Sequence, residues 1–512
     1  MAHRGRPLSQ ARNSSSRRRF LSAALIGLPA KAERKVAGRI VDDSHLFGHR
    51  LRDRQKFAAP KREAKVPVVI AGGGMAGLSA GWRLLKRGFR DFVILEMETE
   101  PGGNSRWGKN EISEYPWAAH YLPIPNRNAS LVRELCREMG LLQEDGHFAE
   151  RHLCHSPQER LFIHGRWQDG IEPESGVGKE TREQYRRFEE LIREAAATGQ
   201  FTVPMEDGLK PSALDSVSMD QWLRQNRLDS PFLRWYVNYA TRDDYGLLAG
   251  QTSAWAGIHY FAAREHEDRG PLVWPEGNGF IVKHLLKQLR PYIRPSSMVF
   301  RIEDGRTIRV LTEQADYRAQ CVIWAAPTFL LPYVFEGAPD TGGLTYSPWW
   351  TANLTLQRLP KEQYTQPAWD NVIYDSPSLG YVVATHQSLR THIDKSVWTY
   401  YFAMAEGSPE QNRKLLLERD WAYYRDFVLR DLERAHPDIR ECVSHIDVMR
   451  IGHAMARPTP GRILGEARRR LADWGAGIVP ANSDLSGLSI FEEAQYRGVR
   501  AADRALRRLG KG

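Results

Sequence analysis

Residues 66–81, VPVVIAGGGMAGLSAG, constrain the fold of this 512-residue chain more than any other stretch. The run Val68–Ala71 contains no polar residue, which is typical of a strand buried on both faces of a parallel sheet. Gly72, Gly74 and Gly77 then follow the spacing GxGxxG. The first glycine of this pattern permits a tight turn, the second lets a pyrophosphate approach the backbone, and the third lets a helix pack closely. The stretch therefore predicts a phosphate-binding turn between a strand and a helix.

The residues after the glycines complete a nucleotide-binding unit. A helix is predicted over about 75–87, and its first N–H groups, at Met75 and Ala76, would face the phosphates. A second apolar run, FVILE, ends at Glu96, 19 residues after Gly77, where an acid accepts hydrogen bonds from an adenosine ribose. A glycine turn without a ligand and a solvated strand end are the alternatives, and the combined spacing disfavours both.

The next stretch distinguishes a flavin from a nicotinamide. Gly102 and Gly103 follow the second strand, and Arg106 comes three residues later. With the strand, GxGxxG, helix and strand before it, this pattern resembles the start of the flavin amine oxidase and phytoene desaturase superfamily. The resemblance implies FAD as the cofactor, with Gly102, Gly103 and Arg106 along its pyrophosphate and ribityl chain. A surface Gly-Gly turn is the alternative for this segment alone.

Later segments extend the resemblance. The stretches 270–289 and 320–327 are similar to the family's Gly-Gly-plus-helix segment and to the strand that closes its first nucleotide half. The resemblance implies that Val299, in a strand predicted over 297–302, contacts adenine. Near the end of the chain, GIVPANSDLSG resembles the turn that places an acid, here Asp484, against the ribityl chain or pyrophosphate.

The last helix carries a further implied contact. Its N-terminus, near Ser489 and Ile490, would aim N–H groups at the flavin N1–C2=O edge and stabilise negative charge on the reduced flavin. The sequence departs from the family pattern here, because Ser483 and Glu493 replace glycines and Arg497 replaces a serine.

These patterns predict an α/β fold with a Rossmann-like FAD-binding domain of GR2 type, assembled from separated segments. A mixed α+β and largely helical substrate domain is inserted between them. The predicted ranges are a signal at 1–32, a linker or arm at 33–65, the FAD-binding domain at 66–125, 270–345 and 445–512, and the substrate domain at 126–269 and 346–444.

Substrate-side residues are less well marked, since the flavin itself accepts the hydride and few protein acids are needed. The catalytic group is therefore left unassigned. The candidates are His120, Tyr245, His259 and His453, each with a hydrogen-bonded core residue as the alternative. No lysine occurs in a context that matches the family's lysine near flavin N5. Trp349 and Trp350 are interpreted as core residues rather than as a cage for an ammonium group.

The N-terminal charge pattern indicates export. The chain has a net charge of +10, but residues 1–65 carry 17 Lys and Arg against 5 Asp and Glu, so the remainder has a net charge of −2. A nucleic-acid partner is therefore not expected. Residues 16–21, SRRRFL, resemble a twin-arginine signal, and small residues follow the short apolar run to Ala32. We expect the export machinery as a partner and a periplasmic or otherwise exported location. A disordered basic tail is the alternative.

A membrane-spanning protein and a metal-binding protein are both disfavoured. No apolar stretch is long enough to cross a bilayer stably, so no membrane span is expected. The four cysteines have neither metal-ligand nor CxxC spacing, which predicts no metal site. Each cysteine is interpreted as a small buried residue, although an exported chain could pair Cys136 with Cys154.

The resemblance implies an FAD-dependent oxidoreductase that oxidises a small amine or a related small-molecule substrate by hydride transfer to FAD. Two alternatives stay open: a phytoene desaturase-type dehydrogenase or isomerase acting on a lipophilic substrate, and a non-catalytic flavin-binding protein.

Overall fold

The computed structural model describes residues 35–42, 45–265, 270–362, 367–389, 392–474 and 477–511. The predicted signal at 1–32 lies outside these residues, which form one unit from Lys35 onward. The strands, in chain order, are β1 (Ala37–Ile40), β2 (Glu63–Lys65), β3 (Val68–Ala71), β4 (Phe92–Leu95), β5 (Trp107–Lys109), β6 (Glu114–Pro116), β7 (Tyr121–Leu122), β8 (Glu159–Ile163), β9 (Arg166–Asp169), β10 (Leu272–Val273), β11 (Ile293–Arg294), β12 (Arg301–Glu303), β13 (Ile308–Leu311), β14 (Asp316–Ala319), β15 (Cys321–Trp324), β16 (Tyr346–Leu356), β17 (Asp370–Ile373), β18 (Tyr381–Val383), β19 (Ser396–Ala403), β20 (Val443–Ala456) and β21 (Ile478–Pro480).

Helices connect and cover these strands. The α-helices are α1 (His45–Arg52), α2 (Met75–Lys86), α3 (Ser130–Glu138), α4 (Lys179–Ala197), α5 (Met219–Gln225), α6 (Pro231–Tyr245), α7 (Ala254–Ala262), α8 (Gly279–Leu289), α9 (Leu331–Val334), α10 (Pro409–Glu418), α11 (Trp421–Leu432), α12 (Ile439–Cys442), α13 (Glu466–Asp473) and α14 (Phe491–Arg508). No helix among the described residues is long and apolar enough to cross a bilayer.

The predicted nucleotide domain is built on a five-stranded parallel sheet in the order β11-β4-β3-β15-β21. Alternate residues of β3 face opposite layers. Val68 and Ile70 belong to the core shared with α2, α8 and α14, whereas Val69 and Ala71 pack toward the sheet β12-β13-β14-β2. Because both faces of β3 are covered, its residues are uniformly apolar. The predicted α/β class with a Rossmann-like sheet is confirmed.

The inserted part contains an eight-stranded sheet in the order β1-β20-β16-β19-β18-β17-β8-β9. Strand alternation gives this sheet two different faces. Trp350 and Tyr400 lie in the core beneath α11 and α12, whereas Trp349 and Tyr401 belong to the core on the opposite face. A separate helical layer, α4 to α7, has its own core around Trp255. Of the predicted catalytic candidates, Tyr245 and His259 lie in the helical layer and His453 lies in the sheet.

Three predicted boundaries differ from the structure. Residues 33–65 were predicted as a linker or arm, but β1 pairs in parallel with β20 and β2 pairs with β14. The range 445–512 was placed in the FAD-binding domain, but β20 runs along β16 inside the eight-stranded sheet. The strand predicted over 297–302 begins at Arg301, and Val299 precedes it as a core residue.

The cysteines match the predicted buried state. All four, Cys136, Cys154, Cys321 and Cys442, are buried free thiols, so the alternative of a Cys136–Cys154 disulfide is not realised. No group of three or more His, Cys, Asp or Glu side chains among the described residues could hold a metal ion.

Candidate functional site

The turn between β3 and α2 requires glycine for steric reasons. Gly72 has φ +107°, and a Cβ there would lie 2.7 Å from the Ala326 nitrogen. A Cβ on Gly77 would lie 1.9 Å from the Gly72 carbonyl oxygen, so the first turn of α2 can approach the strand only without a side chain. These two glycines serve the fold of the turn.

The second glycine has a different environment. A Cβ on Gly74 would meet only the Gly103 Cα, at 3.9 Å. The Gly102 N–H donates to the Gly73 carbonyl at 2.9 Å, which binds the two glycine segments to each other. Helix α2 begins directly after Gly74 with no side-chain cap, so its first N–H groups face a bare backbone cradle. Such a cradle at a helix N-terminus suits a phosphate.

Glu96 follows β4 and is 8% exposed. Its two oxygens accept hydrogen bonds from the Gly73 N–H at 2.7 Å and the Glu98 N–H at 2.8 Å. Burial raises the pKa of this carboxyl, and the two backbone donors oppose the shift. Arg106 donates from Nε to the Gly103 carbonyl at 3.1 Å, which places its guanidinium beside the same turn.

The C-terminal residues that the sequence assigned to the cofactor lie in one region. Asp484 is 2% exposed, and its carboxylate accepts bonds from the Thr328 N–H and hydroxyl at 2.7 and 2.6 Å and from the Tyr346 hydroxyl at 2.6 Å. Ser489 accepts from the Ala456 N–H at 2.8 Å, and Ile490 precedes α14 without a side-chain cap.

These features fit the adenosine and pyrophosphate half of FAD. The bare cradle between Gly74 and Gly103 leaves room for a pyrophosphate, and the uncapped start of α2 supplies donors. At the C-terminal end, Asp484 already holds two loops together through its carboxylate. A carboxylate has about four acceptor positions, so three bonds leave capacity for one further donor.

A cavity of about 150 Å³ lies beside the start of α14 and is partly open to solvent. It is referred to below as the substrate cavity. Its walls come from both domains. The lining residues are Asn104, Ala118, Ala119, His120, Tyr121, Pro123, Asp243, Asp244, Arg264, Asn278, Trp349, Thr351, Tyr401, Ile451, Ala454, Met455, Ser489, Ile490, Phe491 and Glu492.

Carboxylates dominate the charge of the substrate cavity. Burial and the neighbouring Asp244 raise the pKa of Asp243 to about 7, and burial raises the pKa of Asp244 to about 6. Arg264 donates to Glu492 at 2.7 Å, and this ion pair raises the pKa of its guanidinium despite burial. One cation therefore faces three carboxylates on the cavity wall.

Aromatic rings line another part of the cavity. The rings of His120 and Tyr401 lie 4.5 Å apart, and Trp369 lies 5.6 Å from His120 behind them. Burial lowers the pKa of His120 to about 4, so this imidazole is neutral at physiological pH. Thr351 donates its hydroxyl to the Trp117 carbonyl at 2.8 Å, which ties this wall to the loop after β6.

Of the predicted catalytic candidates, His120 lines the cavity and the other three do not. Tyr245 is fully buried and donates its hydroxyl to the Ala256 carbonyl at 2.9 Å. His259 is 3% exposed and bonds through Nε2 to the Thr202 carbonyl at 2.9 Å. His453 stacks on Phe329 with ring centroids 4.2 Å apart. Tyr245 and His259 therefore have the hydrogen-bonded core role that was their alternative, whereas His453 is exposed and stacks on Phe329.

Sequence reasoning missed several cavity residues. Trp349, interpreted as a core residue, is a buried core residue that also lines the cavity. Arg264, Asn278 and Glu492 lie near recognised segments and carried no signal of their own. Beside His120, the adjacent acids Asp243 and Asp244, in a helical stretch otherwise rich in small residues, were a second sequence signal.

Comparisons with known proteins agree with this architecture. Residues 70–139 match the family model described as an NAD(P)-binding Rossmann-like domain. A Baeyer–Villiger monooxygenase of Penicillium patulum is 44% identical over 63 residues, which are 11% of this chain and 9% of that protein. A ketocytochalasin monooxygenase of Aspergillus clavatus is 31% identical over 119 residues, 21% of this chain and 15% of that protein. The chain thus matches only a small part of these curated relatives.

Solved structures match over most of the chain. A putrescine oxidase variant redesigned in its cofactor binding has a TM-score of 0.67 at 14% identity, over 87% of this chain and all of that one (100%). Cyclohexylamine oxidase from Brevibacterium oxydans has a TM-score of 0.66 at 14% identity, over 87% of this chain and 100% of that one. A fatty acid isomerase from P. acnes has a TM-score of 0.59 at 16% identity, over 86% of this chain and 98% of that one. The chain therefore shares the fold of these three proteins, with a Rossmann-like nucleotide domain.

Proposed function

We propose that this protein is an FAD-dependent oxidoreductase that oxidises a cationic small-molecule amine. The observation that carries the proposal is the pair Asp243 and Asp244 in the substrate cavity. No side chain among the described residues forms an ion pair with either carboxylate, although the cavity is otherwise mostly aromatic and apolar. An ammonium group would compensate this charge and stabilise the ionised acids.

The nucleotide half of the site would hold the cofactor. The cradle at Gly74 and Gly103 and the start of α2 would bind the pyrophosphate, and Glu96 would accept from the ribose. Bound FAD supplies the acceptor for a hydride taken from the carbon next to the amine nitrogen. The uncapped N-terminus of α14 presents N–H groups and a partial positive charge at the edge of the cavity.

The cavity residues would bind and deprotonate the amine. The lone pair of a neutral amine assists loss of hydride from the adjacent carbon, so the bound ammonium must first give up a proton. Asp244 has a pKa of about 6 and lies close enough to Arg264 and Glu492 to feel their charges. Its carboxylate oxygen can therefore accept this proton near neutral pH. The neutral His120 and the ring of Tyr401 would exclude water from the reacting carbon.

Anaerobic mixing with amines tests the proposal. We expect a purified yellow protein whose flavin absorbance bleaches on adding primary amines and recovers with peroxide release in air. Asp244→Asn should retain flavin absorbance but lower the bleaching rate at subsaturating amine. Asp169→Asn, a change at an exposed acid at the end of β9, is the matched control. Bleaching by lipophilic compounds and by no amine would contradict the proposal and favour the desaturase or isomerase alternative.

We further propose that the protein is exported through its twin-arginine-like N-terminus. The support is the order of basic residues, apolar run and small residues over 16–32.

A further inference from the structure

Glu492 lines a second, smaller pocket as well as the substrate cavity. This pocket, called the side pocket below, has a volume of about 50 Å³ and is partly open to solvent. It lies between residues 128–132, the turn that includes Pro204 and Asp207, and the first two turns of α14. Asp207 is exposed, whereas Glu492 is 1% exposed, so the side pocket reaches from the surface to a buried residue of the substrate cavity.

Two buried oxygen atoms of residues that line the side pocket have no hydrogen-bond partner. Gln495 is fully buried, and its Nε2 donates to the Leu131 carbonyl at 2.9 Å. This bond fixes the orientation of the amide, and Oε1 is left without a partner among the described residues. Glu492 accepts from Arg264 through Oε1 at 2.7 Å, and its Oε2 likewise has no partner in the described part of the chain. Buried acceptors without donors are unfavourable, so the two atoms indicate a ligand that donates hydrogen bonds.

The charges around the side pocket favour a cation. Its described lining includes the carboxylates of Glu492 and Asp207 but no Lys, Arg or His side chain. Arg264 lines the substrate cavity instead and pairs with one oxygen of Glu492 only. A positive ligand in the side pocket would therefore meet two carboxylates and no competing cation on its walls.

The size of the side pocket restricts this cation. One water molecule needs about 10–15 Å³, so a volume of about 50 Å³ has room for one small ion and a few waters. The described residues contain no cluster of His, Cys, Asp or Glu that could hold a metal ion. An ammonium ion is about as large as a water molecule and carries four N–H donors. It can therefore satisfy both unpartnered oxygens and still contact water or Asp207.

We propose that the side pocket binds ammonium and that ammonium bound there weakens the binding of amines in the substrate cavity. Glu492 lines both spaces, so a positive charge at its Oε2 makes a second cation in the substrate cavity less favourable. By thermodynamic linkage, an amine in the substrate cavity weakens ammonium binding by the same factor. The effect on amines rests on the proposed amine oxidation, whereas ammonium binding depends on the side pocket alone.

The proposed reaction would itself supply ammonium. Loss of a hydride from a primary amine leaves an iminium ion. The oxygen of a water molecule then adds to the iminium carbon and forms the C=O bond of an aldehyde. The nitrogen leaves with the electrons of the C–N bond and takes up both protons of the water, so ammonium is released. The side pocket would thus make the affinity for substrate depend on the amount of product.

Calorimetry on the FAD-loaded full chain tests the binding, with ammonium chloride as the probe. Tetramethylammonium chloride at the same ionic strength is the comparison, because this cation has no N–H donor. We expect ammonium to bind at least about tenfold more tightly. Gln495→Met keeps the length of the side chain but removes the acceptor, and it should weaken ammonium binding about tenfold. Gln55→Met, a change of an exposed glutamine outside the side pocket, is the matched control.

Anaerobic reduction by a primary amine, with and without ammonium chloride, tests the coupling. We expect saturating ammonium to raise the saturation constant for the amine at least about threefold in the wild type and in Gln55→Met, with an unchanged limiting rate. In Gln495→Met the same ammonium concentration should have little effect. An equal rise in Gln495→Met would place ammonium in the substrate cavity and overturn the inference. No rise in the wild type would overturn the coupling.

The binding experiment also separates this inference from amine oxidation. Equal binding of ammonium and tetramethylammonium, unaffected by Gln495→Met, would show a side pocket filled by water and leave amine oxidation standing. Ammonium binding that Gln495→Met weakens, in a protein whose flavin no amine reduces, would support the ammonium site and refute amine oxidation. If Gln495→Met fails to fold, Asp207→Asn decides, because this exposed change removes one of the two carboxylates and should weaken ammonium binding about threefold.

Discussion

Gly74 and Gly77 lie three residues apart in one turn, but an added methyl group would meet different surroundings at each. At Gly74 the new Cβ has only the Gly103 Cα within 4 Å, at 3.9 Å. We therefore expect Gly74→Ala to change the free energy of unfolding of the apoprotein by less than about 0.5 kcal/mol. The methyl group would project toward the cradle and displace the phosphate from the backbone N–H groups. Losing one charge-assisted bond of about 1.5 kcal/mol weakens FAD binding about tenfold.

In contrast to Gly74→Ala, the change Gly77→Ala should destabilise the fold. Its Cβ would lie 1.9 Å from the Gly72 carbonyl oxygen, so the helix must move away from the strand. We expect a loss of about 2–4 kcal/mol in the free energy of unfolding, measured by urea denaturation of the apoprotein. Flavin titration of both variants completes the experiment. Unchanged FAD affinity in a stable Gly74→Ala protein would contradict the phosphate cradle.

Asp243 gives the substrate cavity a specific pH dependence. Its pKa is raised to about 7, so the carboxyl is neutral at pH 6 and ionised at pH 8. We expect the KM for an amine to fall as the pH rises through this interval, while the amine itself stays protonated. Asp243→Asn should flatten this part of the KM profile, and Asp169→Asn should retain it. A wild-type KM that does not change between pH 6 and 8 would contradict the assignment.

The raised pKa of Asp243 has the opposite effect on the free energy of unfolding: amine binding should become tighter as the pH rises, but the folded state should become less stable. A carboxyl whose pKa is raised on folding binds more protons in the folded state than in the unfolded state. Between the ordinary pKa of an aspartate and about 7, the free energy of unfolding contributed by Asp243 therefore decreases as the pH rises. In denaturation of the apoprotein at several pH values across this range, the free energy of unfolding should fall less steeply with pH for Asp243→Asn than for the wild type.

The secondary-structure elements whose signals lie close together in the sequence could be predicted. The unit β3–α2–β4 was predicted because its signals are local: an apolar run, glycine spacing and an acid at a fixed distance. The pairing of β1 with β20 was missed, since it joins Ala37 to His445 and depends on contacts remote in sequence. The cavity was missed for a related reason, because Trp349 and Trp350 carry the same sequence signal and differ only in the face they occupy.

The departures at Glu493 and Arg497 form one buried network between α14 and the inserted domain. Glu493 is fully buried and accepts from the Met205 N–H at 2.6 Å and the Ser486 hydroxyl at 2.5 Å. Arg497 donates to the Ser486 oxygen at 2.9 Å and pairs with Glu206 at 2.5 Å. Ser486 therefore bridges the two residues that depart from the family pattern.

A double-mutant cycle measures this coupling. Arg497→Met removes the positive charge that lowers the pKa of the buried Glu493 and breaks one of the two ion pairs of Glu206, so it should cost about 3 kcal/mol in the free energy of unfolding. Glu493→Gln should destabilise the wild-type apoprotein but stabilise the Arg497→Met variant, because it removes the uncompensated charge. Urea denaturation of the four proteins gives the coupling energy. Additive effects would show that the two side chains act independently.

For the whole molecule, the predicted cofactor site draws on residues that are far apart in sequence. Glu96 accepts from the Gly73 N–H only when β3 and β4 are paired, and Val299 and Ser489 reach the sheet core and Ala456 only in the assembled fold. FAD can therefore bind only to the folded chain. An exported flavoprotein of this kind must then either receive FAD after export or cross the membrane already folded, and the twin-arginine route carries folded proteins.

This argument predicts where the flavoprotein accumulates when the signal is altered. Arg17→Lys combined with Arg18→Lys should retain a yellow, FAD-loaded protein in the cytoplasm of a bacterial host, because folding and cofactor binding precede recognition of the arginine pair. Arg19→Lys is the matched control, since it changes the third arginine and keeps the pair. Cell fractionation followed by flavin fluorescence of each fraction measures the outcome. Equal export of the double variant and the control would refute a twin-arginine route, and colourless exported protein would place FAD insertion after export.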